Sequence, residues 1–176
     1  PRRFEHRVRL AHARGETEED LQLAARSAGL LFREANEQLI ELVTTTAPTL
    51  LKVFGAGPEV AGQLLTTAGE NPHRLHSESA LARLCGVAPI PASSGNTTRH
   101  RLHRGGDRAA NSAIHMIVIN RLRWHEPTKA YLARRTAEGK TKKGIIRCLK
   151  RAVVRELYIA LKTDLPELPD RAREAS

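Results

Sequence analysis

A chain of 176 residues with 40% hydrophobic side chains is long enough to bury a core in one domain plus an extension. No apolar run reaches the roughly 20 residues of a membrane span, and the opening PRRFEHRVRLAHARG lacks the apolar stretch of a signal peptide, so the expectation is a cytoplasmic, nucleoid-associated protein with no membrane partner. The net charge of +10 is unevenly placed: residues 1–98 carry 10 basic and 11 acidic side chains, residues 99–151 carry 15 and 3, and residues 152–176 carry 4 and 5. A solvated surface mixes its signs, so a block of this kind marks a polyanion as partner, nucleic acid first. The block contains no basic helix with Trp or Phe along an apolar side, which argues against an anionic membrane.

The first element in chain order is one long helix from Thr17 to about Thr46. Thr17 caps it, Glu18, Glu19 and Asp20 suit its positive end, and Pro48 stops it. Leu21, Ala24, Ala28, Leu31, Ala35 and Leu42 recur at a 3/4 spacing interrupted by Gln38, and Gly29 weakens the helix by about 1 kcal/mol. This is either a heptad seam for a second copy, making a homo-oligomer, or the apolar side of a helix lying on its own domain. After Pro48 the stretch LLKVFGAGPEVAGQLL matches the helix-hairpin-helix template at Leu50, Val53, Gly55, Ala56, Gly57, Ala61, Leu64 and Leu65. Gly55 and Gly57 are expected to turn the chain at positive φ, and Pro58 then starts a helix whose free amides bind phosphate oxygens without reading sequence. A plain turn between packed helices is the competing reading, since the acidic Glu59 stands beside the hairpin.

A short helix from Ser79 to Cys85 follows, with Ser77 as its cap and GVAPIP as its breaker. Residues 97–103 have no helical periodicity, and the Gly105–Gly106 pair fits a loop, so an extended strand or hairpin is expected there. Asp107 caps a helix from Arg108 to about Trp124 with Ile114, Ile117, Val118 and Leu122 on its apolar face. Pro127 opens another helix that Gly139 closes. The last runs from Thr141 to about Lys162 and buries Ile145, Leu149, Ala152, Val153, Leu157 and Leu161. The Pro-rich, charged tail after Asp164 is expected to be loose. Cys85 and Cys148 stand far apart outside any CxxC or Cys/His cluster, which speaks against a disulfide framework or zinc site and for two buried thiols.

Three patterns suggest chemistry. Gly139-Lys140-Thr141 resembles part of a nucleotide-binding loop, but Arg134 stands where the upstream glycine is required. His100 and His103 have no accompanying carboxylate or cysteine, so phosphate contact suits them better than a metal. Ser93 and Ser94 precede Gly95, which admits a close backbone approach, and Arg99, Arg101 and Arg104 can clamp a scissile phosphate bidentately. A serine hydroxyl is a weak nucleophile without a base, a metal or concentrated positive charge, so an ordinary loop whose hydroxyls touch a DNA backbone stands beside the catalytic reading. Arg108, Lys140, Lys142 and Lys143 complete the expected nucleic-acid contacts with Gly55, Gly57, Gly95 and the three loop arginines.

The series GAGPEVAGQLL, LARLCGVAPIPASSG, RHRLHRGGDRAAN, YLARRTAEGKTKKGIIRCLKR and ELYIAL resembles the C-terminal domain of bridge-RNA-guided insertion-sequence transposases, the IS one-ten and IS nine-oh-two group, over residues 48–162. The preceding helix is similar to that family's coiled linker. The resemblance implies a DNA recombinase whose N-terminal RNase H-like domain carries a DEDD acidic set and Mg²⁺, with a guide RNA as partner. Ser93 would be the serine nucleophile, with Ser94 in reserve. It also implies that this chain, which carries no DEDD set and no cofactor of its own, is half of a composite active site, binding DNA but not cutting alone. Asn96 and His103 depart from the lysine and asparagine expected at their places.

The fold class expected is mainly α, with a linker and coiled-coil-like helix over 1–47, a helix-hairpin-helix transposase domain over 48–164 bearing a short basic strand or loop, and a tail over 165–176. Binding to duplex DNA or structured RNA is predicted to show little sequence preference and to weaken steeply as salt rises. Counterion release sets the log-log slope at about 0.9 per phosphate neutralised on duplex DNA; affinity unchanged between low and physiological salt would contradict the electrostatic role of residues 99–151.

Overall fold

The computed structural model describes residues 17–92, 100–103 and 105–166. It is mainly α-helical, and the chain divides into two compact units, Pro1–Glu41 and Leu42–Ser176. Helix α1 covers Glu18–Thr46. At its start Thr17 and Asp20 bond reciprocally: Thr17 N and Oγ1 donate to Asp20 Oδ2 at 2.9 and 2.7 Å, and Asp20 N donates to Thr17 Oγ1 at 3.2 Å. These bonds satisfy end groups that a helix otherwise leaves open, and they hold the Asp20 carboxyl below its ordinary pKa. Leu23, Leu30, Leu31 and Phe32 are exposed along the first unit's part of the helix. Of the apolar series Leu21, Ala24, Ala28, Leu31, Ala35 and Leu42, Leu31 and Leu42 are exposed.

The second unit begins in the last turn of α1, where Val43 is buried, followed by the buried Ala47 and Leu50. The four-residue α2, Pro48–Leu51, packs on the last helix. Asp164 reaches back to accept from Thr49 N at 3.1 Å and Leu50 N at 2.8 Å, a negative charge placed at the positive end of α2. Helix α3, Pro58–Gly69, packs against α5, Arg108–Trp124. A 3-10 turn at Pro72–Arg74 leads to α4, Glu78–Leu84, whose cap is the expected one, Ser77 Oγ accepting from Ala80 N at 3.1 Å.

Helix α6, Glu126–Ala137, and α7, Lys142–Asp164, complete the layer. Gly139 ends the connection at φ +77°, and Thr141 Oγ1 accepts from Gly144 N at 3.2 Å. The core is built from Ala61, Leu64 and Ala68 of α3, Ile114, Ile117 and Val118 of α5, and Ile145, Val153, Val154, Leu157 and Leu161 of α7. Three expectations are corrected here. Ala152 is exposed while Val154 is buried, because α7 packs against α2, α4, α5 and α6 and a single apolar stripe does not describe a helix covered on several sides. Leu122 is only half-buried, with Arg121 inside in its place. Cys148 is exposed, and only Cys85 of the two thiols is buried.

The sheet has two antiparallel strands, β1 at Pro89–Pro91 and β2 at His100–Leu102, in the register Pro89↔Leu102, Ile90↔Arg101, Pro91↔His100. The basic extended segment therefore finds its partner in GVAPIP, which was expected only as a helix breaker. Proline has no amide hydrogen and is tolerated at sheet edges, so Ile90 is the one donor of β1. At the foot of the sheet the backbone is crowded. A Cβ on Gly106 would collide with the N and Cα of Gly86 and come within 2.8 Å of Leu84 O, and Gly86 itself has φ +65°. Asp107 N donates to Leu84 O at 2.7 Å across the same contact.

Gly106→Ala is expected to lower stability by about 1–3 kcal/mol, the range for forcing an extra carbon into a packed site, whereas Gly69→Ala, with nothing within 4 Å of its Cβ position, is expected to be neutral or slightly stabilising. Urea midpoints of the two variants measure the difference; equal midpoints would show that the Gly86–Gly106 contact yields without cost.

Candidate nucleic-acid interface

The hairpin between α2 and α3 is closed by backbone bonds, Val53 N to Leu50 O at 3.2 Å and Ala56 N to Val53 O at 2.9 Å. Gly55 has φ +90°, and a Cβ there would lie 3.2 Å from Ile117 O and 3.5 Å from Asn120 Cβ. Glycine is thus required twice, for the left-handed backbone and for the close approach to α5. Gly57 behaves otherwise: φ is −77° and ψ 171°, so the expected positive φ holds at Gly55 alone. The extended conformation of Gly57 is what a following proline imposes. Its Cβ position is open, leaving clear the approach to α3, where the first capping-residue bond is Ala61 N to Gly57 O at 2.9 Å and the amides of Glu59 and Val60 precede any intrahelical acceptor.

The hairpin is fastened by a residue the sequence reading assigned no role. Arg121, 6% exposed, donates Nε to Phe54 O at 2.8 Å and both terminal nitrogens to Glu156, at 2.8 and 2.6 Å. Arg121 hydrogen bonds hold the Glu156 carboxyl below its usual pKa; burial opposes them, and the charges of Arg121 and His125 add to the lowering. A signal was present: Arg121 continues the 3/4 series of Ile114, Ile117 and Val118, so a helix presenting that face to a core must bury its guanidinium.

Much of the basic block is engaged in this way. Lys150 Nζ donates to Asn111 O and Oδ1 at 3.1 and 2.6 Å, and Asn111 Nδ2 donates to Cys85 O at 2.7 Å and Gly86 O at 3.2 Å. Arg151 pairs with Glu78, with Arg155 3.4 Å from the same oxygen. Lys129 pairs with Glu126 and Arg135 with Glu138; Arg134 and Arg135 also lie over the Tyr131 ring at 5.5 and 6.0 Å. Burial pushes the Lys150 ammonium pKa down. His115 is shifted down by burial and then by the Lys150 charge.

Within the basic block, the exposed cations outside any ion pair among the described residues are Arg101, Arg108, Arg123, Lys140, Lys142, Lys143 and Arg147. Arg101 lies on β2 opposite Ile90. Arg108 opens α5 behind Asp107, whose Oδ1 accepts from Ala109 N and Ala110 N at 2.7 and 3.2 Å and whose Oδ2 accepts from Thr67 Oγ1 at 2.7 Å. Burial raises the Asp107 pKa, but those three hydrogen bonds outweigh it and the net shift is downward. Lys140, Lys142 and Lys143 flank the Thr141 cap. Lys143, Arg147 and Lys150 follow the i, i+4, i+7 spacing of one helix face, so the cationic stripe runs from the start of α7 to the first turn of α5.

Ser93, Ser94, Gly95, Arg99 and Arg104 lie outside the described residues. The chain on either side of 93–99 is held by the last pair of the sheet, Pro91↔His100. His100 is exposed, and His103 is half-buried with its Nδ1 buried and unbonded among the described residues. Burial, with a smaller contribution from the Asp107 charge, pushes the Cys85 thiol up to about 12, so it stays protonated and unreactive.

Arg121→Ala is expected to cost about 2–3 kcal/mol, since it strips a buried carbonyl and a carboxylate of charge-assisted bonds. The Glu156 shift is downward, so its stabilisation is whole above the ordinary carboxylate pKa of about 4.3 and is lost as pH falls through the depressed folded value. Denaturation midpoints across pH 2–6 should therefore fall less steeply in Glu156→Gln than in the parent, and parallel curves would refute the coupling.

Residues 47–133 match the family model described as transposase, IS116/IS110/IS902 family. No curated protein matches the chain. The hairpin, α3, α4, both strands, α5 and the start of α6 are thus the part of this protein that is similar to an insertion-sequence transposase, which points to DNA transposition as its general setting.

Proposed function

We propose that this chain is a DNA-binding catalytic domain of an insertion-sequence transposase, with Ser93 as the nucleophile for strand cleavage and exchange and Ser94 in reserve. The observation that carries this reading is that the family match spans both the Gly55 hairpin seated on α5 and the Ser-Ser-Gly segment between the paired strands. The hairpin amides and the cations Arg101, Arg108, Lys140, Lys142 and Lys143 bind backbone phosphates, with Arg99 and Arg104 beside the serines in sequence. The partners assigned are DNA, a guide RNA and a second copy along the heptad of α1.

Chemically, Ser93 Oγ attacks a DNA phosphorus and displaces one strand end, leaving a phosphoserine ester that conserves the bond energy for rejoining. Arginine clamps stabilise the charge that spreads over the phosphoryl oxygens. The described residues do not fit a divalent metal. No group of three or more His, Cys, Asp or Glu converges among them, and Glu78, Asp107, Glu156 and Asp164 are held by Arg151, the α5 amides, Arg121 and the α2 amides. By the resemblance, Mg²⁺ belongs to an RNase H-like domain. That commitment of the acids also supports a second reading, a non-catalytic helix-hairpin-helix module.

In a polypeptide joining this chain to an RNase H-like domain of the same family, Ser93→Ala is expected to abolish the covalent protein–DNA adduct on a suicide substrate. DNA affinity should stay within about tenfold, because one neutral hydroxyl bond contributes about 0.5–1.5 kcal/mol. Mass spectrometry of the adduct identifies the attached residue. Attachment at Ser94 moves the assignment by one position, and adducts that persist when both serines are alanine leave the binding module as the function.

A further inference from the structure

The end of α5 beside the hairpin carries an aromatic group that neither the core nor the phosphate contacts use. Trp124, the one tryptophan of the chain, is 72% exposed, and Phe54 is 45% exposed. The Phe54 ring lies 4.9 Å from the ring of His125 at an interplanar angle of 43°. His125 is anchored in turn, its Nδ1 2.8 Å from Thr128 Oγ1. Backbone contacts fix the arrangement, since Gly55 abuts Ile117 and Asn120 and Arg121 holds Phe54 O. Positions 117, 120, 121 and 124 follow i, i+3, i+4, i+7, so Trp124 stands on the hairpin-facing stripe of α5, one turn beyond the contact.

Single exposed apolar residues are ordinary, but an exposed tryptophan on the same helix stripe that seats the hairpin, next in sequence to the Phe54–His125 ring pair, marks an interaction surface on rigid elements. The charges around it select the partner. Lys52 on the hairpin and Arg123 beside Trp124 are exposed, while the neighbouring acids Glu126 and Glu156 are bonded to Lys129 and Arg121. An aromatic face flanked by cations is the combination that binds unpaired strands, bases stacking on the rings and phosphates following the charges, without regard to sequence. A duplex keeps its bases stacked inside and offers only phosphates to such a surface.

We propose that Trp124, Phe54 and His125 form a stacking platform for unpaired nucleobases, with Lys52 and Arg123 tracking the phosphates of that strand. The platform rests on the nucleic-acid reading above and adds to it a place for a splayed or single-stranded segment next to the hairpin that grips the duplex.

Because Trp124 is the one tryptophan, its fluorescence reports occupancy directly. The full chain is titrated with a thymidine oligomer of about ten nucleotides, within the usual site size of a stacking platform, and separately with a blunt duplex, binding of each being followed by anisotropy of a label on the DNA. The single strand is expected to quench Trp124 and the duplex to bind with little quenching. Trp124→Leu, at a site too exposed to endanger the fold, should weaken single-strand binding by about five- to hundredfold, the effect of one stacked base, and change duplex affinity less than twofold; Phe54→Ala should do the same and reduce the quenching. Duplex binding with no quenching by the single strand, or a Trp124→Leu variant weakened equally toward both, overturns the platform and leaves the nucleic-acid reading standing. Failure of both DNAs to bind at low salt overturns that reading, and the platform with it.

Discussion

Burying a guanidinium without partners is costly, and in the helical unit Arg121 finds three bonds to two elements outside its own helix. Its Nε takes the hairpin carbonyl of Phe54, and its fork takes Glu156 of α7. Glu156 is half exposed, its side chain retaining 50% of its accessible surface, so the pair is bidentate without both charges losing water. The hairpin cannot move away from α5 without breaking the bond to Phe54 O, and Gly55 then approaches Ile117 closely enough to crowd a side chain. The direction in which α3 presents its first amides follows from that seat.

The same kind of short polar link recurs at several helix ends inside the unit. Asp107 caps α5 and binds Thr67 of α3; Asp164, at the end of α7, caps α2; Asn111 binds the carbonyls after α4 while Lys150 binds Asn111. Each satisfies backbone groups that would otherwise be stripped of water without a partner. A consequence is that the basic block has two populations. Arg121, Lys150 and Arg151 hold the architecture together, and the cations left on the surface cluster at the sheet, the start of α5 and the start of α7. Charge counted along the sequence therefore overstates the charge offered to a polyanion.

The candidate site was readable in part. The hairpin could be recognised from Gly55, Ala56 and Gly57, but the assignment of positive φ to both glycines failed at Gly57, where Pro58 alone imposes an extended backbone. The basic strand was expected, while its partner was hidden because Pro89 and Pro91 suggest a break; a proline keeps its carbonyl as an acceptor and is tolerated at a sheet edge. Arg121 was given no role of its own within the basic block, although its spacing placed it with Ile114, Ile117 and Val118. The Phe54–His125 ring pair had no sequence signal, since residues so far apart in the chain meet only when the hairpin sits on α5.

What the sequence by itself determined are the features whose causes lie within one turn of the chain. Thr17, Ser77, Asp107 and Thr141 start helices because a side-chain oxygen reaches an amide two or three residues away, and Gly139 ends one because it alone takes φ +77° without strain. The mainly helical class and the one-sided placement of charge belong to the same category. Only the tertiary structure decided which faces are covered: that Val154 is inside and Ala152 outside, that Cys148 is exposed, that Gly86 and Gly106 touch, and which arginines remain available. Burial depends on which distant elements meet, and that is settled by the joint packing of α3, α5 and α7 and by the partners a buried charge must find, neither of which any local window of the sequence contains.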